Sequence, residues 1–146
     1  MNNTLKVYFA HPINVYNTDL EARLIERITF TPELSKCVLE NPNTEAHTRA
    51  YEARKQTTTD PMVYFEEVVA TCNALVFLAF PDGKISGGVW REILAGSRDK
   101  LSLFEIFPSG QIWHISYAAL YPPTRPLSRE DTIARVRYPD GSPRPF

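Results

Sequence analysis

Short apolar runs alternate along the chain with stretches of helical period. Residues 5–10 (LKVYFA) are apolar and rich in β-formers, and predict a buried first strand ended by His11-Pro12. Thr18, with Glu21 three residues on, has the form of a capping box. Leu20, Leu24, Ile25 and Ile28 then share one face of a helix running to about Phe30. Residues 37–39 (CVL) predict a short second strand closed by Asn41-Pro42-Asn43. From Thr44 to Thr59 the chain is polar without clear alternation, and reads as a long loop with a helical turn or more. Loops of this length in compact domains often serve as lids or binding loops.

Asp60 as N-cap and Pro61 at the first helical position predict the next helix, through Phe65, Val68, Val69 and Cys72. Residues 74–80 (ALVFLAF) are almost continuously apolar, as a central parallel strand buried on both faces requires. Pro81-Asp82-Gly83 ends it. Ser86-Gly87-Gly88 leads into a helix from about Val89 to Ser97, and residues 101–106 (LSLFEI) form another strand. Residues 112–117 read as a strand or a docked segment. Ser128 and Asp131 suit a capping box for a short helix to Val136, and the Pro/Gly-rich residues 138–146 read as an irregular or mobile tail.

This order predicts an α/β fold over residues 1–146 as a single domain. It is a flavodoxin/Rossmann-like parallel sheet of about five strands with helices on both faces. Ligands of such sheets bind at the carboxyl ends of the strands, near the point where the strand order reverses. His11, the loop 81–88 and the turn after Ile106 fall at that edge.

Composition narrows the function. A hydrophobic fraction of 43% and a charged fraction of 23% are those of an ordinary globular protein. A net charge of -1 gives no electrostatic reason to expect a nucleic-acid polymer as partner, while leaving room for a local basic pocket that holds one phosphate. Cys37 and Cys72 form no CxxC pair, so neither a metal nor a redox centre is expected. No apolar run approaches membrane-spanning length and no leader pattern opens the chain. The expectation is a cytoplasmic protein with no membrane partner.

The candidate chemistry gathers around the glycine turn. Gly87 and Gly88 let backbone approach a ligand closely, and the helix that follows presents N–H groups and a positive dipole end. Ser86 adds a hydroxyl, and Glu92 lies about one turn in, able to point back to the ligand edge. This is not a phosphate-binding Walker loop, because GxxxxGK[ST] is absent. Tyr8 stands near the end of the first strand and His11 at its tip, with Asn14 just beyond. Glu66 and Glu67 lie in the helix before the central strand, and one of the two is expected to be a solvated face residue.

Three stretches together carry a family likeness over roughly residues 5–97. They are Val7-Tyr8-Phe9-Ala10, the helix with Glu66 eight positions before Ala74, and Ser86-Gly87-Gly88-Val89-Trp90-Arg91-Glu92. The chain resembles the nucleoside 2-deoxyribosyltransferases and the related 2'-deoxynucleoside 5'-phosphate N-hydrolases. The resemblance implies that Glu92 attacks C1' of a (deoxy)nucleoside or its 5'-monophosphate, and that the sugar passes to water or to an acceptor base. It further implies that Tyr8 holds the nucleophile, that Glu66 protonates or positions the base, and that Ser86, Gly87 and Gly88 hold the 5' end. His11 and Asn14 would complete the substrate contacts. No cofactor is implied. A homodimer or larger assembly is, with Trp113 and Tyr117 as interface candidates.

The chain departs from the family pattern in several places. His11-Pro12-Ile13-Asn14 stands where the N-hydrolases have a glycine- and arginine-containing turn that grips phosphate, and Glu66 stands where the family has aspartate. Ser86, in place of an acidic residue six positions before the nucleophile, leans toward hydrolysis over transfer. Two other readings stand beside this one: a module on the same fold that binds a nucleotide without turning it over, and an interaction domain whose pocket is incidental.

Overall fold

The computed structural model describes residues 4–146. Five strands, β1 (Lys6–Ala10), β2 (Val38–Glu40), β3 (Ala74–Leu78), β4 (Ser102–Ile106) and β5 (Ile112–Ile115), form one sheet in the order β2-β1-β3-β4-β5. The helices are α1 (Asp19–Thr29), α2 (Glu45–Lys55), α3 (Val63–Ala70), α4 (Gly87–Arg98) and α5 (Arg129–Val136). The first four strands are parallel. β5 is antiparallel to β4, with Glu105 opposite Trp113, so the sheet is mostly rather than wholly parallel. The short turn at Pro108–Gly110 explains the direction: a tight connection returns the chain antiparallel, whereas a parallel neighbour needs a long crossover.

Strand alternation divides the core in two. Tyr8, Leu75, Phe77 and Leu103 point to the side packed with Val69, Val89 and Ile93 of α3 and α4. Val7, Phe9, Val76 and Phe104 point to the other, against Leu24 and Ile28 of α1. Every residue of β3 is buried, which accounts for its unbroken apolar sequence. A fully buried large apolar side chain contributes roughly 1.5–3 kcal/mol, so this central strand anchors both halves.

Several boundaries follow from cap chemistry. Thr18 caps α1, its hydroxyl accepting from the Glu21 N–H at 3.2 Å. The reciprocal half of the expected box does not form, because the Glu21 carboxylate accepts instead from the Asn17 N–H and from Asn43. Ser128 caps α5 through the Asp131 N–H at 3.0 Å.

Two sequence expectations need correction. The segment 44–59 is not mainly loop: it holds the 11-residue α2, capped by Thr44. None of its residues is buried, so it carries no apolar stripe to reveal it. Asp60 is not the N-cap of α3, which starts three residues later. Its carboxylate instead takes both terminal nitrogens of Arg91, at 2.7 and 2.9 Å.

The C-terminal segment lies against the loop between β3 and α4. Ile85 bridges to Pro126, its N–H donating to Arg125 O at 2.9 Å. Arg125 also donates to both oxygens of the buried Glu105 and to Gly83 O. The tail beyond Val136 has turns and one isolated bridge, and no helix or strand, in keeping with its irregular reading. It is nevertheless tied down: Phe146 packs on the α1-side core and Arg144 N–H donates to Val136 O at 2.8 Å. Among the described residues, no helix is long and apolar enough to cross a membrane.

Candidate active site

The chain leaves β1 toward β2 on one side and leaves β3 toward β4 on the other. The strand order therefore reverses between β1 and β3, and a crevice opens at their carboxyl ends. A cavity of about 390 Å³ occupies that place, within the range of small-molecule sites. Its walls come from the tip of β1 (His11, Tyr16), from α2 and α3 (Tyr51, Phe65), from the start of α4 (Ser86, Gly88, Glu92) and from α5.

Glu92 is the buried carboxyl of this wall, 5% exposed on the inner face of α4. The Tyr8 hydroxyl donates to its Oε2. Strand alternation puts Tyr8 on the α4 side of the sheet, and the helical turn after Ser86 brings Glu92 over it. Burial pushes the Glu92 carboxyl up to about 8; the hydrogen bond from Tyr8 works the other way, the negative charge of Glu66 adds to the rise, and Arg91 subtracts. Burial and the neighbouring Glu92 likewise raise the Tyr8 phenol well above its ordinary value.

Glu66 stands apart from the cavity wall. Arg91 holds one of its oxygens and Arg98 holds the other at 2.8 Å. Burial disfavours its ionised form, but the hydrogen bonds from Arg98 and Arg91 outweigh this and keep the carboxyl below its ordinary value. The two carboxyls are thus pushed in opposite directions, Glu66 toward its ionised form and Glu92 toward its protonated form. Glu67, expected on a solvated face, is exposed and pairs with Arg54 at 2.6 Å.

His11 lines the cavity but offers it no ring nitrogen. Nδ1 lies 2.9 Å from Phe9 O and Nε2 lies 2.7 Å from a Glu21 oxygen. The ring stacks on Phe9 at 4.0 Å. The His11 side chain is fully buried, so it shapes the cavity's edge by holding Tyr16 in place. Asn14 is buried outside the cavity wall, its amide donating to Pro145 O at 3.4 Å, so it anchors the tail instead of facing a substrate.

The glycine turn is placed as the sequence suggests, with its donors partly engaged. Ser86 Oγ accepts from the Val89 N–H, acting as the N-cap of α4. The Gly87 N–H donates to Thr132 Oγ1 of α5 at 2.8 Å. A Cβ on Gly87 would stand 3.4 Å from Leu127 O and from Thr132 Oγ1, so the lack of a side chain lets α5 seat here. Gly88 is the glycine that lines the cavity.

Sequence reading missed the cavity's far walls. Tyr16, Tyr51, Glu52 and Lys55 line it, as do Ile133 and Arg137. Tyr16 carried a signal, since it follows the β1 tip closely. The α2 and α5 residues carried none, because their places depend on tertiary packing of polar helices. Trp113 is 58% exposed on β5, while Tyr117 packs against the α4-side core.

The arrangement combines a water-shielded carboxyl, a phenol fixing it, aromatic side chains, and the cations Lys55 and Arg137 around one cavity. A scan against models of protein families finds none that matches this chain, and a search of curated proteins finds no match either.

Proposed function

We propose that this protein cleaves the N-glycosidic bond of a (deoxy)nucleoside or its 5'-monophosphate, with Glu92 as nucleophile and water or a second base as acceptor. The observation that carries the reading is the buried Glu92 carboxyl, gripped by Tyr8, in the wall of the cavity where the strand order reverses. It agrees with the likeness of the segment 86–92 to the deoxyribosyltransferase and N-hydrolase pattern.

The chemistry asks for such a group. Breaking the C1'–N bond builds oxocarbenium-like positive charge on the sugar, which an adjacent carboxylate stabilises and captures as a glycosyl ester. The proton balance also closes. The carboxyl form of Glu92 and the N-glycoside together contain the atoms of the glycosyl ester and the protonated free base. Water then attacks C1', releases the sugar and restores the carboxyl. The transition state for the first step thus holds one proton beyond the Glu92 carboxylate, and a carboxyl raised to about 8 carries that proton at neutral pH.

Assays of base release from nucleosides and deoxynucleoside 5'-monophosphates, with Glu92→Gln alongside, test this directly. Release by the wild type and loss of at least about 100-fold in the variant are expected, the scale of losing a nucleophile. Release that survives Glu92→Gln would remove Glu92 from the reaction.

One observation favours a second reading, a module that binds a nucleotide without cleaving it. The second carboxylate, Glu66, is held by Arg91 and Arg98 away from the cavity. Ligand-induced thermal stabilisation without any base released would favour it.

A further inference from the structure

We infer that the Tyr16 hydroxyl is the cavity's contact for a sugar hydroxyl of the substrate, an assignment that rests on the N-glycoside reading above. Tyr16 sits six residues past the end of β1, at the strand-order reversal, and lines the same cavity as Glu92. Its ring is half-buried and tilted at 52° against the ring of His11, with centroids 4.9 Å apart. His11 is itself immobilised by Phe9 O, by Glu21 and by stacking on Phe9. The platform under Tyr16 is therefore rigid, which is what a specificity contact needs.

Two phenols that line the cavity are uncommitted, Tyr51 on α2 and Tyr16 at the β1 tip, and Tyr16 is the one seated against the fixed His11 ring. Tyr8 is engaged by Glu92, whereas Tyr16 Oη has no hydrogen-bond partner among the described residues. Burial, then the negative charges of Glu92 and Glu21, push its phenol above its ordinary value, so it keeps its proton across the working range. The same influence of Glu92 means that the two groups share one region of the cavity. If Glu92 meets C1', the part of the substrate beside it is the sugar ring. A polar group there that can both donate and accept fits a hydroxyl of that ring. Tyr51 and Phe65 line the α2–α3 side of the cavity, with rings 5.4 Å apart.

The test compares Tyr16→Phe with wild type for binding of a matched set: a ribonucleoside and its 2'-deoxy and 3'-deoxy analogues, each as the free nucleoside and as its 5'-monophosphate, by titration calorimetry, with base release measured in parallel. The variant loses only a hydroxyl without a protein partner, so its melting temperature without ligand should match the wild type. The expected result is a 3- to 10-fold loss of affinity, about the worth of one neutral hydrogen bond. It should be confined to sugars that carry one particular hydroxyl and vanish for the analogue that lacks it. An equal affinity of both proteins for every member would overturn the Tyr16 assignment and leave the N-glycoside reading standing. A wild type that binds no member of the set would overturn both.

Discussion

Tyr8 and Glu92, 84 positions apart in sequence, meet in a hydrogen bond at the base of the cavity. The phenol donates to the carboxylate form and so favours ionisation, opposing the burial that raises Glu92 to about 8. Tyr8→Phe removes this donor and must raise the carboxyl further. Under the proposed mechanism the rate falls as pH climbs past the Glu92 value, because the proton needed in the transition state is lost. We expect the wild-type profile to decline above about pH 8 and the variant's decline to begin at higher pH. A kcat/KM profile with an unmoved alkaline limb would disconnect Tyr8 from the titrating group.

The same shift has a consequence for folding. Glu92 in the native protein binds its proton more tightly than in the unfolded chain, where the ordinary value of 4.5 applies. Between about 4.5 and about 8 the unfolded state has released the proton and the native state has not. Stability therefore falls with rising pH across this window, by up to about 1.4 kcal/mol per unit, and levels off above it. Glu92→Gln removes the slope while keeping an acceptor for Tyr8. It should melt higher than the wild type at pH 8 and alike at pH 4; urea titrations at both values check the sign.

Gly96 and Tyr117 offer a packing test away from the site. A Cβ on Gly96 would come within 2.9 Å of the Tyr117 hydroxyl, which is itself buried without a partner. Gly96→Ala alone should cost about 1–2 kcal/mol through overpacking. Tyr117→Phe should be neutral or stabilising, since it removes an unsatisfied polar atom. The double variant should exceed the wild type by up to about 1 kcal/mol, the helix preference of alanine over glycine. Chemical denaturation of all four proteins closes the cycle, and simple additivity would refute the clash.

α2 should be the most readily opened helix. It has no buried residue, and among its main ties are His47 to Glu40 and to Tyr64 and the exposed pair of Arg54 with Glu67. Amide exchange in α2 should run well ahead of α4, and His47→Ala should speed α2 while leaving α4 unchanged. Equal protection of both helices would argue against α2 as a movable wall.

The parts of this fold legible in the sequence are those whose burial is written locally. Val7 to Ala10, Leu75 to Leu78 and the α1 stripe of Leu24 and Ile28 each announce their element, and Ser86 before paired glycines marks the start of α4. What stayed hidden depends on distant partners. Asp60 looks like a cap until Arg91 arrives from 31 positions away, and Glu66 looks like a cavity acid until Arg91 and Arg98 take it. α2 looks like loop because none of its residues is buried and its one large apolar side chain, Tyr51, faces the cavity instead of a core. At the site, Ser86 and Glu92 at the strand edge were legible from the glycine turn and the helix after it, whereas the pairing of Tyr8 with Glu92 came only from the family resemblance. Arg137 and the tail's hold on Asn14 were not legible at all, since nothing local fixes them.

The seating of α5 on the α4 start gives the protein a history as well as a shape. Synthesis completes β1 to β4 well before it reaches Thr132, the residue that takes the Gly87 N–H, or Ile133 and Arg137, which wall the cavity. Until α5 docks, that side of the cavity lacks its wall. The scaffold that carries Glu92 therefore precedes the cavity it faces, and the cavity closes only when a segment 45 positions downstream reaches Gly87.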